Sequence, residues 1–156
     1  MKLVINTVRL ASLLRNNNER KRTVIVDVRP YTDYILGHIP GAINVDLMHY
    51  HWIDTSDPGI TQFNYQMQTL LSFLGLTGDK RVIFYESNSG PSAARGTWLL
   101  SYFLHQNVSL LDGGFEKWKK DGHPVETKSN RYKHSVAEGK TNPKVLATYN
   151  EIFSAI

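Results

Sequence analysis

Residues 81–98 read RVIFYESNSGPSAARGTW, an apolar run that ends at Glu86, crosses Ser87, Asn88, Ser89 and Gly90, and meets Pro91 at the head of a helically spaced segment. A loop in that setting aims backbone N–H groups and the positive end of a helix at whatever it holds, which would activate a thiolate or bind an anion. The chain of 156 residues contains no cysteine, so thiol chemistry and cysteine-ligated metal are excluded. A carboxylate stands in the loop instead. Its charge at a helix amino end is favourable by about 0.3–1 kcal/mol, and Arg95, inside that helix, is placed to pair with it or with its loop. We read Glu86 as an internal anion filling an electropositive loop; a solvated strand-end glutamate is the alternative.

Other chemistry-bearing residues gather at a few places. Asp27 and Arg29 follow an apolar run and face the same sheet edge as Glu86, which reads as a structural ion pair. His38, in GHIPGA, invites a catalytic reading by its residue type but sits in a turn and reads as structural, with Pro40 and Gly41 beside it. His49 and His51 have a spacing that could grip a metal from a strand, yet no third ligand is near in sequence, so no metal and no cofactor are expected. Asp112, Gly113 and Gly114 form the last strand-to-helix turn, with Phe115 and Trp118 expected to pack beneath it.

The elements that must position these groups alternate in type. Short, nearly continuous apolar runs occur at 23–28, 42–47, 81–86 and 108–112, the pattern of strands covered on both faces. Between them lie helical stripes: Val8, Leu10, Ala11, Leu13 and Leu14; Phe63, Met67, Leu70, Leu71 and Leu74; Ala93, Ala94, Trp98, Leu99, Tyr102 and Phe103. Gly75 and Gly122 mark helix ends and Gly90-Pro91 a helix start. Alternation of this kind predicts an α/β domain with a doubly wound, mainly parallel sheet.

Composition narrows the function classes. An apolar fraction of 41% is globular, and no apolar stretch approaches the roughly 20 residues of a membrane span. The start, MKLVINTVRL, lacks the long apolar region of a secretory signal, which places the chain in the cytoplasm with no membrane partner. The net charge of +4 is spread: basic residues gather in RNNNERKR (15–22) and thinly from Lys117 to Lys144, without the interleaved aromatics of a nucleic-acid binder. That basic surface reads as a solvated face.

Residues 1–126 make the domain, and 127–143 are polar and aperiodic, a linker or a surface-hugging tail. The segment 144–156, KVLATYNEIFSAI, repeats the pattern of KLVINTVRLASLL at 2–14: Lys2 matches Lys144, Leu3-Val4 match Val145-Leu146, Asn6 and Thr148 share a capping position, and Leu10, Ser12 and Leu14 match Ile152, Ser154 and Ile156. It is expected to open a truncated second copy, with a terminal helix docked on its own domain as the alternative.

Taken together, YILGHIPGAINV (34–45), the DVRP before it, and LDGGFEKW with GHPVE after it resemble the rhodanese family across Lys2 to Glu126. YESNSGPSAARGTW is similar to the non-catalytic N-terminal domain of two-domain thiosulfate and mercaptopyruvate sulfurtransferases. The resemblance implies a three-layer fold with a five-stranded, mainly parallel sheet, and in active members a cysteine persulfide at the end of the fourth strand, where this chain has Glu86. Active single-domain members close a tighter loop than the nine residues from Glu86 to Arg95. A carboxylate cannot carry a sulfur atom between donor and acceptor. The expected function is that of the sulfurtransferase-inactive half of a thiosulfate sulfurtransferase, supporting a cysteine-bearing second domain, with a homodimer through the C-terminal tail as a further partner. The alternative is a free-standing inactive module that binds a protein or an anion. A phosphatase using the same loop would also need its cysteine.

Overall fold

In a computed structural model, residues 3–50, 54–76, 78 and 80–156 are described; Lys2 and His51 lie outside that set. The chain runs β1 (Val4–Ile5), α1 (Thr7–Arg15), α2 (Asn17–Lys21), β2 (Thr23–Asp27), α3 (Tyr31–Leu36), β3 (Ile43–Asn44), α4 (Asp57–Leu74), β4 (Arg81–Tyr85), α5 (Pro91–Tyr102), β5 (Val108–Leu111), α6 (Gly114–Lys120) and α7 (Tyr149–Ser154). The five strands form one all-parallel sheet in the order β1-β5-β4-β2-β3. This is the α/β parallel sheet expected from the alternating runs, in the three-layer fold that the resemblance implies.

The continuous apolar runs are needed because both faces are covered. Along β4, Val82 and Phe84 join the side packed with Phe63, Met67 and Leu71 of α4 and Leu99 and Leu100 of α5. Ile83 and Tyr85 join the opposite side, with Leu10 and Leu13 of α1, Tyr34 of α3, and Phe115 and Trp118 of α6. Period-two alternation therefore puts Tyr85 and Asp27 on the second side, next to α3 and α6. Asn6 caps α1 by accepting from the Arg9 N–H, and α4 stops at Gly75, whose φ of 69° ends it in the left-handed conformation.

The run 42–47 differs from expectation. Only Ile43–Asn44 pair with β2, because the Asp46 carboxylate accepts the Met48 N–H and turns Leu47–His49 into a 3-10 turn. The tail hugs the domain. Asn130 N–H donates to the Tyr34 hydroxyl at 3.0 Å, Ala137 N–H to Ser72 Oγ at 2.9 Å, and Asn142 N–H to the Tyr102 carbonyl at 2.7 Å. Beyond it Pro143–Val145 form a 3-10 turn rather than a strand, the Val145 carbonyl accepting from Trp98 Nε1 at 3.0 Å. Thr148 caps α7 through a reciprocal capping box with Glu151, the counterpart of Asn6 on α1.

Candidate functional site

Parallel strands deliver their carboxyl ends to one edge, where β2 ends at Asp27, β4 at Tyr85 and β5 at Leu111. At β2 the chain needs a charge partner, since Asp27 is completely buried. Arg29 supplies it: Nη2 reaches Asp27 Oδ2 at 2.6 Å, Nε reaches Oδ1 at 3.0 Å, and the Arg29 N–H donates to Oδ1 at 2.9 Å. The guanidinium also donates to the Gly37 carbonyl at 2.7 Å and lies 4.1 Å from the centroid of the Phe115 ring. Burial alone would lower the Arg29 pKa, but the hydrogen bonds and charge of Asp27 outweigh it and raise the value. Tyr85 completes the group, its hydroxyl donating to Asp27 Oδ2 at 2.7 Å and accepting the Ile39 N–H at 3.1 Å. Burial, and then the Asp27 carboxylate, push the Tyr85 pKa well above its usual range, so the phenol stays protonated. Every polar contact of this group points inward, onto the strand ends and the GHIPGA segment.

Glu86 leaves the strand and turns toward α5. Its Oε1 accepts the Ala93 N–H at 3.0 Å, and a Cβ on Gly90 would stand 2.8 Å from the same oxygen, so glycine there makes room for the carboxylate. Glu86 thus sits at the amino end of α5 and satisfies one of its free donors. Arg95 does not reach back to Glu86: it donates to the Tyr50 carbonyl, on the segment after β3, which corrects the expected pairing. Burial lowers the Arg95 pKa.

The loop itself is fastened to the DGG turn. The Glu86 carbonyl accepts the Phe115 N–H at 2.8 Å, the Ser87 carbonyl accepts the Glu116 N–H at 2.9 Å, and Ser89 Oγ accepts the Gly113 N–H at 2.8 Å. Gly114, at φ 58°, lets the loop and the start of α6 meet this closely, for a Cβ there would stand 2.5 Å from the Glu86 carbonyl and 2.7 Å from that of Asn88. Asp112 is exposed beside them, its N–H donating to the Ile5 carbonyl at 2.8 Å. Phe115 and Trp118 are buried below the turn, and Trp118 Nε1 donates to the Pro124 carbonyl at 2.8 Å. The loop therefore presents carbonyls to α6 and a carboxylate to α5.

His38 is fully buried, stacked on Tyr34 with ring centroids 3.8 Å apart; Nδ1 lies 2.8 Å from the Tyr34 carbonyl and Nε2 3.6 Å from Glu126. His38 and Glu126 also exchange backbone hydrogen bonds, and Glu126 Oε2 accepts the Gly41 N–H at 2.7 Å, next to Pro40. His49 is exposed and lies 3.1 Å from Asp46. Among the described residues no cluster of three or more His, Asp or Glu side chains is placed to hold a metal ion. Tyr85 and Asn130 emerge as structural centres that residue types alone did not single out. Only the position of Tyr85, last in a buried strand and needing a partner for its hydroxyl, could have signalled it.

Comparisons with known proteins agree with this frame. The sequence profile of the rhodanese-like domain matches residues 10–121. The chain is 29% identical over 129 residues to a thiosulfate sulfurtransferase of Bos taurus, covering 77% of this chain and 41% of that protein. It is 28% identical over 167 aligned positions to the thiosulfate sulfurtransferase of Rattus norvegicus, covering 96% and 54%. Among solved structures, that of SseA from Escherichia coli, described with the 3-mercaptopyruvate sulfotransferases, superposes with a TM-score of 0.76 at 24% identity, over 99% of this chain and 62% of that one, a likeness of fold. The chain spans about half the length of the curated relatives it matches. No helix among the described residues is long and apolar enough to cross a membrane. With this sheet order, this GHIPGA turn and this profile match, the chain belongs to the rhodanese-like domain family.

Proposed function

We propose that this chain is the non-catalytic N-terminal half of a tandem thiosulfate sulfurtransferase, that it supports a cysteine-bearing second domain, and that it transfers no sulfur by itself. The observation that carries this reading is the β4–α5 loop, where a carboxylate hydrogen-bonded to Ala93 N–H occupies the place of a nucleophile and the loop carbonyls are tied to α6. Sulfur transfer through a persulfide requires a thiolate that attacks the outer sulfur of the donor, and the sequence contains no cysteine to provide one. The match to about half of longer sulfurtransferases supports a place beside another domain. We assign the segment 144–156 to the opening of that domain, which would cover Tyr149, Ile152 and Phe153 of α7, each more than half exposed. A cytoplasmic location belongs to the same reading.

Purified chain mixed with thiosulfate and cyanide is expected to release thiocyanate no faster than buffer does. Turnover that scales with protein concentration overturns the proposal.

A further inference from the structure

The basic run RNNNERKR and the thin basic stretch of the tail are far apart in sequence, but the fold brings them to one place. A cavity of 480 Å³ opens at the amino-terminal edge of the sheet, where β2 and β4 begin, across the sheet from the Glu86 loop. Its rim carries Arg20 and Lys21 from α2, Lys80 from the turn before β4, and Arg131 and Lys133 from the tail. Its floor is apolar, built from Leu14, Val24, Pro40, Ile43 and Leu74.

The rim is assembled by specific contacts. Lys80 Nζ donates to the Lys21 carbonyl at 3.2 Å, and the tail passes so close to Gly75 that a Cβ there would overlap the Lys133 carbonyl. In this stretch Arg131 and Lys133 both belong to the lining of the cavity, while Tyr132 packs on Phe73 with ring centroids 5.0 Å apart and donates to the Asn44 carbonyl. Among the described residues none of the five rim cations has an ion-pair partner within salt-bridge distance. Glu126 feels the charge of Arg20, but its carboxylate is already engaged by Gly41 N–H and Asn130. Five cations around an apolar concavity concentrate positive potential, and the volume falls within the roughly 300–1,000 Å³ of small-molecule sites.

We infer that this cavity binds a small organic polyphosphate, its planar or apolar body on the floor and its phosphates among Arg20, Lys21, Arg131 and Lys133. A bare anion would leave the floor uncovered, and an uncharged ring would leave the cations without a partner. The site is independent of the reading proposed for the Glu86 loop.

Isothermal titration calorimetry of the full chain tests it, with ADP, adenosine and inorganic phosphate as probes. Saturable one-to-one binding of ADP is expected, with adenosine and phosphate each weaker by about tenfold or more. Arg131→Glu with Lys133→Glu should weaken ADP by about tenfold or more, whereas the charge-matched control Lys120→Glu with Lys140→Glu, outside the cavity, leaves it within about twofold. Absence of saturable ADP binding, adenosine or phosphate binding as tight as ADP, or equal losses in the two double variants overturns the inference.

Discussion

Replacing Tyr85 with phenylalanine removes one buried oxygen and leaves the ring in place, so its cost reports the hydrogen-bonded centre beneath the sheet edge. The hydroxyl donates to Asp27 Oδ2 at 2.7 Å and accepts the Ile39 N–H at 3.1 Å, and both partners are buried. A hydrogen bond to a charged acceptor contributes about 1.5–3 kcal/mol, and a buried N–H left without a partner costs about 1–3 kcal/mol. Asp27 keeps its bonds from Arg29, which limits the first loss; among the described residues Ile39 N–H has no second acceptor, so the second is felt in full. The sum is about 2–4 kcal/mol, a large part of the roughly 5–15 kcal/mol that holds a domain together. Urea denaturation followed by tryptophan fluorescence should show the unfolding free energy falling by that amount, read as a lower midpoint with the slope unchanged. A loss below about 0.5 kcal/mol would refute the assignment of Tyr85 as the link between β2 and the GHIPGA turn.

Three further outcomes are expected. Glu86→Ala should lose about 1 kcal/mol of stability with the acceptor for Ala93 N–H, and sulfate should then raise its thermal midpoint while leaving wild type unmoved; equal responses of both proteins count against an internal anion. Glu126 feels burial, which raises its pKa, but hydrogen bonds from Asn130 and Gly41 and the charges of His38 and Arg20 prevail and lower it. Its contribution is therefore complete above the ordinary value of 4.5 and is lost as the pH falls through the lowered one, so the destabilisation by Glu126→Gln should shrink in acid; a penalty independent of pH contradicts this. Light scattering should show the full chain self-associating through the exposed stripe of α7 and a chain ending at Asn142 remaining monomeric, and identical monomers would rule out pairing through the tail.

Much of the frame was legible because it rests on local pattern. Runs such as Val82-Ile83-Phe84 are apolar on both faces and have to be central strands, and Gly75 stops α4 where the stripe ends. Thr148 announces the α7 cap at the capping position it shares with Asn6. What the sequence did not disclose depends on contacts across long separations. Arg95 stands one turn into α5, equally able to reach the loop or the chain after β3, and only the packed fold sends it to Tyr50. The loop carbonyls at Glu86 and Ser87 meet α6 because Gly114 lets that helix approach, a distance no pattern encodes. The six-residue α3 carries too few turns for a stripe, and the polar stretch after Glu126 looks like a linker until Asn130, Ser135 and Ala137 find partners on α3 and α4.

In the function proposed, the β4–α5 loop lacks a nucleophile and is also closed around its own carboxylate and carbonyls, so that a thiol alone would not revive it. Glu86→Cys, incubated with thiosulfate and then cyanide, tests this most directly through the mass of the protein and the thiocyanate released. No added sulfur atom and no thiocyanate above buffer is the expected result. A stoichiometric persulfide at residue 86 with catalytic turnover would contradict it.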